Sequence, residues 1–138
     1  MFKSLSKYAD SGLLFLRIVL GGMFMLYGSK ILFGGQEMWV MIGQSMGNLN
    51  VPAIPGFWGF IAGFVEFLGG ICLILGLFFR PVCLLLAITM AVAVHMHFGK
   101  GEGFFGAGHA IEDGAVFVYL IFNGPGKYSL CKLLKTRN

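Results

Sequence analysis

All three histidines of the chain fall in one stretch, HMHFGKGEGFFGAGHAIED at 95–113, together with Glu102, Glu112 and Asp113. Imidazoles and carboxylates exchange protons near neutral pH and ligate divalent metals, so the cluster invites both chemistries. His109 and Glu112, at i and i+3, share a helix face as one helix's part of a carboxylate-bridged metal site would, with Glu66 and His95 able to supply the rest. Against a metal, no second Glu-x-x-His unit occurs, and His95 and His97 on a continuous helix point about 200° apart. No metal ligand is therefore assigned. The plainer account of the cluster is that helix ends near water tolerate polar residues, with Glu112 and Asp113 complementing the positive N-terminal end of their helix.

The elements that must position these groups are set by composition. The 138 residues are 57% hydrophobic and 12% charged, with a mean hydropathy of +0.83, well beyond what a soluble core of this size needs. Apolar segments at 12–33, 57–79, 82–98 and 109–124 each approach the ~20 residues that cross a hydrocarbon layer of roughly 30 Å. The expected fold is all-α: an integral membrane four-helix bundle forming a single domain over 1–138. Arg17 inside the first apolar run, and the lack of a small-residue cleavage pattern after it, mark an uncleaved helix rather than a signal peptide. QEMWVMIGQSMG at 36–47 suits an interfacial helix with Trp39 at headgroup level, and VPAIPG then leads into the second span. FFRPV is a tight turn, and NGPGKYSL ends the last span.

Basic residues set the orientation. Lys3, Lys7, Arg80, Lys127, Lys132, Lys135 and Arg137 flank one side and only Lys30 and Lys100 the other, which places both termini and the 79–81 turn of a multi-pass protein in the cytoplasm. The pI near 9.1 follows from this asymmetry. The basic tail suits a lipid surface rather than nucleic acid.

Helical spacing nominates the inward faces. Gly59, Gly63, Glu66 and Gly70 form one stripe, and Arg17, Gly21, Phe24 and Gly28 another; both let helices approach closely. On the last span His109, Glu112, Tyr119 and Asn123 share a face, flanked by Asp113, and are expected to point inward. His97 is expected at the lipid or interface side. Glu66 falls near mid-depth, where ionisable side chains are expensive and are kept for function or pairing. Its partner is Arg17 or Lys30, and a structural ion pair with Arg17 competes with a functional role. Cys72 and Cys83 differ in height by roughly 7 Å and are poorly placed for a disulfide. Cys131 sits on the cytoplasmic tail.

The succession YGSKILFGG at 27–35, EFLGGICLILGLFFRP at 66–81, His95 after TMAVAV, Glu112 opening the fourth helix and NGPGKYSL at 123–130 resembles the DoxX family over nearly the whole chain. Cys131 stands where relatives often carry Asp, which puts an acidic role there in doubt. The resemblance implies a four-helix inner-membrane protein. Relatives include subunits of thiosulfate:quinone oxidoreductase and a membrane component that associates with sulfurtransferase and superoxide dismutase, while distant members act as cargo receptors or assembly chaperones. Carried over by motif, Lys30, Glu66, Arg80, His95 and Glu112 are the positions of interest.

The expectation that follows is an oxidoreductase subunit binding a quinone, or a similar small redox carrier, in the outer half of the bundle. A quinone needs an apolar slot, donors to its carbonyls and a proton carrier. Tyr27, Lys30 and His109 are assigned to binding and Glu66, His95 and Glu112 to proton transfer, with GKGEGFFGAG as a mobile mouth. The chain carries no covalent nucleophile or cofactor motif, so a soluble or membrane redox partner would supply the rest, and a homo-oligomer is compatible. The competing class is a non-catalytic membrane binding or assembly protein recognising a partner, lipid or small solute. A proton-linked transporter is disfavoured, since four helices leave little room for alternating access.

Overall fold

The computed structural model describes residues 5–44, 46 and 54–136. A 3₁₀ turn at Ser6–Tyr8 precedes α1 (Ala9–Phe33), α2 (Gly35–Gly43), α3 (Pro55–Leu75), α4 (Phe79–Gly99), α5 (Gly103–Asn123) and α6 (Leu130–Lys135). No strand occurs among the described residues. The helices α1, α3, α4 and α5 are each long and apolar enough to span a membrane, and a continuous helix satisfies its own backbone groups where no water can. Large apolar side chains such as Phe15, Leu26, Leu84 and Phe122 face outward, as a bundle embedded in lipid requires.

The spans pack mainly as two pairs, α1 on α3 and α4 on α5; α2 lies on α3, and α3 meets α4 over a smaller area. Both expected stripes are buried: Arg17, Gly21, Phe24 and Gly28 on α1, and Gly59, Gly63, Glu66 and Gly70 on α3. The closeness is real, since a Cβ on Gly28 would lie 2.2 Å from the Phe67 nitrogen and one on Gly70 2.4 Å from the Gly21 oxygen. Phe24 then reaches across to α5, meeting Phe117 edge-on at 4.9 Å in a core with Leu73, Leu86 and Leu120.

Several boundaries differ from the sequence expectation. The second span ends at Leu75 rather than 79, because Gly76 adopts φ 70° and the Leu77 N–H closes back on the Cys72 carbonyl at 3.0 Å, a Schellman ending. The third begins at Phe79, with Pro81 in its first turn, where a missing N–H does no harm. The largest shift is in GKGEGFFGAG, expected as a mobile mouth: α5 starts at Gly103. Ala107 is fully buried there, so packing outweighs the low helix propensity of the glycines.

The expected interfacial helix at 36–47 is realised as α2, ending at Gly43; residues 45 and 47 of that range, like Lys3, Pro52 and Arg137, lie outside the described residues. It is docked rather than lying free on the surface. A Cβ on Gly59 would sit 1.8 Å from the Trp39 oxygen, and one on Gly43 1.6 Å from the Pro55 oxygen. Trp39 donates its indole N–H to the Ile31 carbonyl at 2.9 Å and packs on Phe60 at 5.2 Å, which ties α1, α2 and α3 together.

Candidate functional site

The gap left where α3 and α4 diverge is a cavity of about 370 Å³, within the range of roughly 300–1,000 Å³ typical of small-molecule sites. Ile31 and the end of α2 (Ile42, Gly43) close it on one side; Trp58, Ala62 and Glu66 of α3 face Leu85, Thr89, Ala93 and Met96 of α4 on the other. Leu85 and Ile88 are about half exposed, so the cavity opens between the two spans onto the lipid-facing surface. Glu66 is the one ionisable residue among its described lining residues. It is 8% exposed and lies roughly 16 Å along α3 from Pro55, close to mid-depth.

Two polar groups on this wall have no partner among the described residues. No ion pair or hydrogen bond involving the Glu66 carboxyl occurs among the described residues. The buried Trp58 Nε1–H likewise has no acceptor among the described residues, although buried polar groups are almost always satisfied. Thr89 is engaged within its own helix, its hydroxyl donating to the Leu85 carbonyl at 2.9 Å. The slot is therefore apolar with one indole donor and one carboxyl that have no partner among the described residues, separated by about two helical turns of α3.

Arg17 is not the partner of Glu66. Its Nε donates to Leu73 O at 2.8 Å, Nη2 to Ile74 O at 2.7 Å, and Nη1 to Pro125 O at 2.9 Å and Tyr128 O at 2.8 Å. The guanidinium also lies over the Phe79 ring, 5.7 Å from its centroid. It thus caps the negative C-terminal end of α3 and holds the loop after α5. The expected Arg17–Glu66 pair fails because carbonyls at one end of the bundle satisfy the cation. Lys30 is exposed at the opposite end and has no ion pair among the described residues either.

The DoxX family model matches residues 12–99. The chain belongs to the DoxX family. It is also 35% identical over 134 residues to an uncharacterized protein of Haemophilus influenzae, the alignment covering 92% of this chain and 93% of that one. No solved structure gives a significant match.

Of the residues nominated from sequence, only Glu66 lines the cavity of this DoxX protein. His95, expected to face the bundle, is exposed, as are Tyr27, Lys30, His109 and Glu112. On α5 the buried face is Ala107, Ala110, Phe117 and Leu120; the polar stripe of His109, Glu112 and Tyr119 points the other way, because bulky apolar residues supply the contacts with α1 and α4. Asp113 alone of that group is half-buried. Among the described residues no three His, Cys, Asp or Glu side chains are grouped as metal ligands. The three cysteines are free thiols.

His97 is half-buried and its Nδ1 hydrogen-bonds the Glu102 carboxylate, fastening the turn between α4 and α5. That bond, more than anything else, holds the Glu102 carboxyl below the usual carboxylate range. The residue missed in the sequence is Trp58. It lies eight positions before Glu66, within about 80° of it on a helical wheel, but an indole in an apolar span is no different in type from a lipid-facing or interfacial tryptophan.

Proposed function

We propose that this DoxX protein is a membrane-embedded binding subunit of an oxidoreductase system, housing a quinone or a similar amphipathic redox carrier in the cavity between α3 and α4. The observation that carries the reading is the pairing, on one otherwise apolar wall, of a carboxyl with no cation and an indole N–H with no acceptor among the described residues. A quinone head asks for a donor to a carbonyl oxygen and a group that passes protons; Trp58 offers the first and Glu66 the second. The apolar tail leaves through the opening past Leu85 and Ile88. DoxX membership supports an inner-membrane protein, and the excess of basic residues around the termini supports both termini in the cytoplasm; the cavity would then lie in the outer half of the bundle. Electron transfer falls to a partner protein.

The test is binding of a short-chain quinone to the purified protein carrying Trp39→Phe, so that Trp58 reports by fluorescence. Saturable quenching is expected, with Glu66→Leu weakening it by roughly 3- to 10-fold, the worth of the hydrogen bond a carboxyl can give a quinone oxygen. No saturable quenching, together with no quinone in the lipid extract of the native protein, would reject the reading.

One observation favours the non-catalytic alternative, a binding or assembly protein. His95, His109 and Glu112 are exposed rather than gathered around Glu66, an arrangement available to a polar partner. Loss of a co-purifying membrane protein on Glu112→Ala, with quinone binding absent from the start, would establish it.

A further inference from the structure

At the end of the bundle that carries the termini, a second depression of about 550 Å³ lies between the start of α1 and the end of α5. Its walls combine Leu13 and Leu16 of α1 with Arg80 of α4, Lys132 of α6 and Asp10. Asp10 is already engaged: one carboxylate oxygen accepts the Lys127 N–H at 2.9 Å and the other lies 3.4 Å from the Lys127 ammonium. Neither Arg80 nor Lys132 has an ion pair among the described residues. Gly124, at φ 80°, adjoins the Arg80 guanidinium, whose Nη2 would be in ordinary contact at 3.7 Å with a Cβ there.

Level decides what such a groove can take. Asp10 and Arg80 are the second residues of α1 and α4, and Asn123 is the last of α5, so the two cations sit where the spans leave the hydrocarbon, the depth of lipid phosphates. Leu13 and Leu16 continue from that level into the apolar layer. The leucines in α6, Leu130, Leu133 and Leu134, are exposed beside Lys132 and Lys135, as in a short helix lying at an interface.

We propose that this groove is a phosphate site, with Arg80 and Lys132 holding the oxyanion of an anionic phospholipid whose acyl chain runs along Leu13 and Leu16. Arg80 supplies planar donors matched to phosphate oxygens and Lys132 a point charge. The site is separate from the Glu66 cavity and stands whether or not that cavity binds a quinone.

The experiment is native mass spectrometry of the delipidated protein offered equal phosphatidylglycerol and phosphatidylcholine. Wild type should retain phosphatidylglycerol preferentially, and R80Q/K132Q should lower that affinity roughly 30-fold, at about a factor of five for each surface cation. The control pair K30Q/K100Q, at the other end, should leave it unchanged. Millimolar inorganic phosphate separates the sources: lipid that stays bound identifies a phospholipid, and lipid displaced by phosphate identifies a site for free phosphate. Equal loss of phosphatidylglycerol in R80Q/K132Q and the control pair, or no loss in either, would overturn the proposal. If R80Q/K132Q cannot be purified, wild type decides alone: phosphatidylglycerol must raise its melting temperature more than phosphatidylcholine, and equal effects would overturn the site.

Discussion

Arg17 and Leu73, 56 positions apart, are joined by a 2.8 Å hydrogen bond from the guanidinium Nε to the main-chain carbonyl. With Ile74, Pro125 and Tyr128 accepting from the other two nitrogens, this is the most heavily bonded side chain among the described residues, and it is 1% exposed.

Arg17→Met should lower stability by at least ~3 kcal/mol, since carbonyls left without a donor cost about 1–3 kcal/mol each. Arg17→Lys should recover less than half, because an ammonium cannot reach four acceptors in the guanidinium plane. Denaturant titration in a fixed micelle measures both. Short-chain quinone affinity of the folded fraction should not change, since Arg17 does not line the cavity.

Gly28 and Gly22 provide an internal contrast on α1. Gly28→Ala puts a methyl 2.2 Å from the Phe67 nitrogen and 2.7 Å from the Gly63 oxygen, and should cost about 1–3 kcal/mol through overpacking. Gly22→Ala meets nothing within 4 Å and should be neutral or stabilising by up to ~1 kcal/mol. Thermal melts of the two variants side by side check the helix interface; similar losses would contradict it.

Glu66→Leu and Glu112→Gln should separate cleanly in quinone titrations. The first removes the cavity's carboxyl and should weaken binding roughly 3- to 10-fold; the second, and His95→Ala, alter residues exposed outside the cavity and should change affinity less than two-fold, about 0.4 kcal/mol. Equal effects of all three would place the binding site elsewhere.

The His97–Glu102 bond makes the α4–α5 turn sensitive to acid. Because the folded state lowers the Glu102 pKa, its contribution is complete above the ordinary carboxylate pKa and is lost as pH falls through the depressed value. Amide exchange in the 99–103 turn should therefore accelerate only in the acid limb, below the usual range for a glutamate. His97→Phe should return the Glu102 titration, followed by NMR, to that usual range.

Residue type and spacing were enough to find the buried faces of α1 and α3, because glycine, arginine and glutamate at steps of three and four have few other uses in an apolar helix. The same logic failed on α5. There the shared polar face of His109 and Glu112 suggests an inward side, whereas Phe117 and Leu120, indistinguishable in type from lipid-facing neighbours, fill the core. Arg17 was legible as buried but not as bonded: its acceptors are main-chain carbonyls, which every residue carries and no spacing reveals. Glu66 was found, and its place on the cavity wall follows from α3 and α4 diverging, a property of helix packing rather than of either helix alone.

Two of the carbonyls that hold Arg17 belong to residues 108 and 111 positions downstream. During synthesis the first span must enter the bilayer before any of its four acceptors: two come with α3, and the other two only after the last span has been made. A chain released at Asn123 would contain every membrane-spanning helix yet lack this fastening. The segment at 124–129 thus acts as the closing clasp of assembly, and pulse-labelled chains should become protease-resistant only once it has emerged from the ribosome.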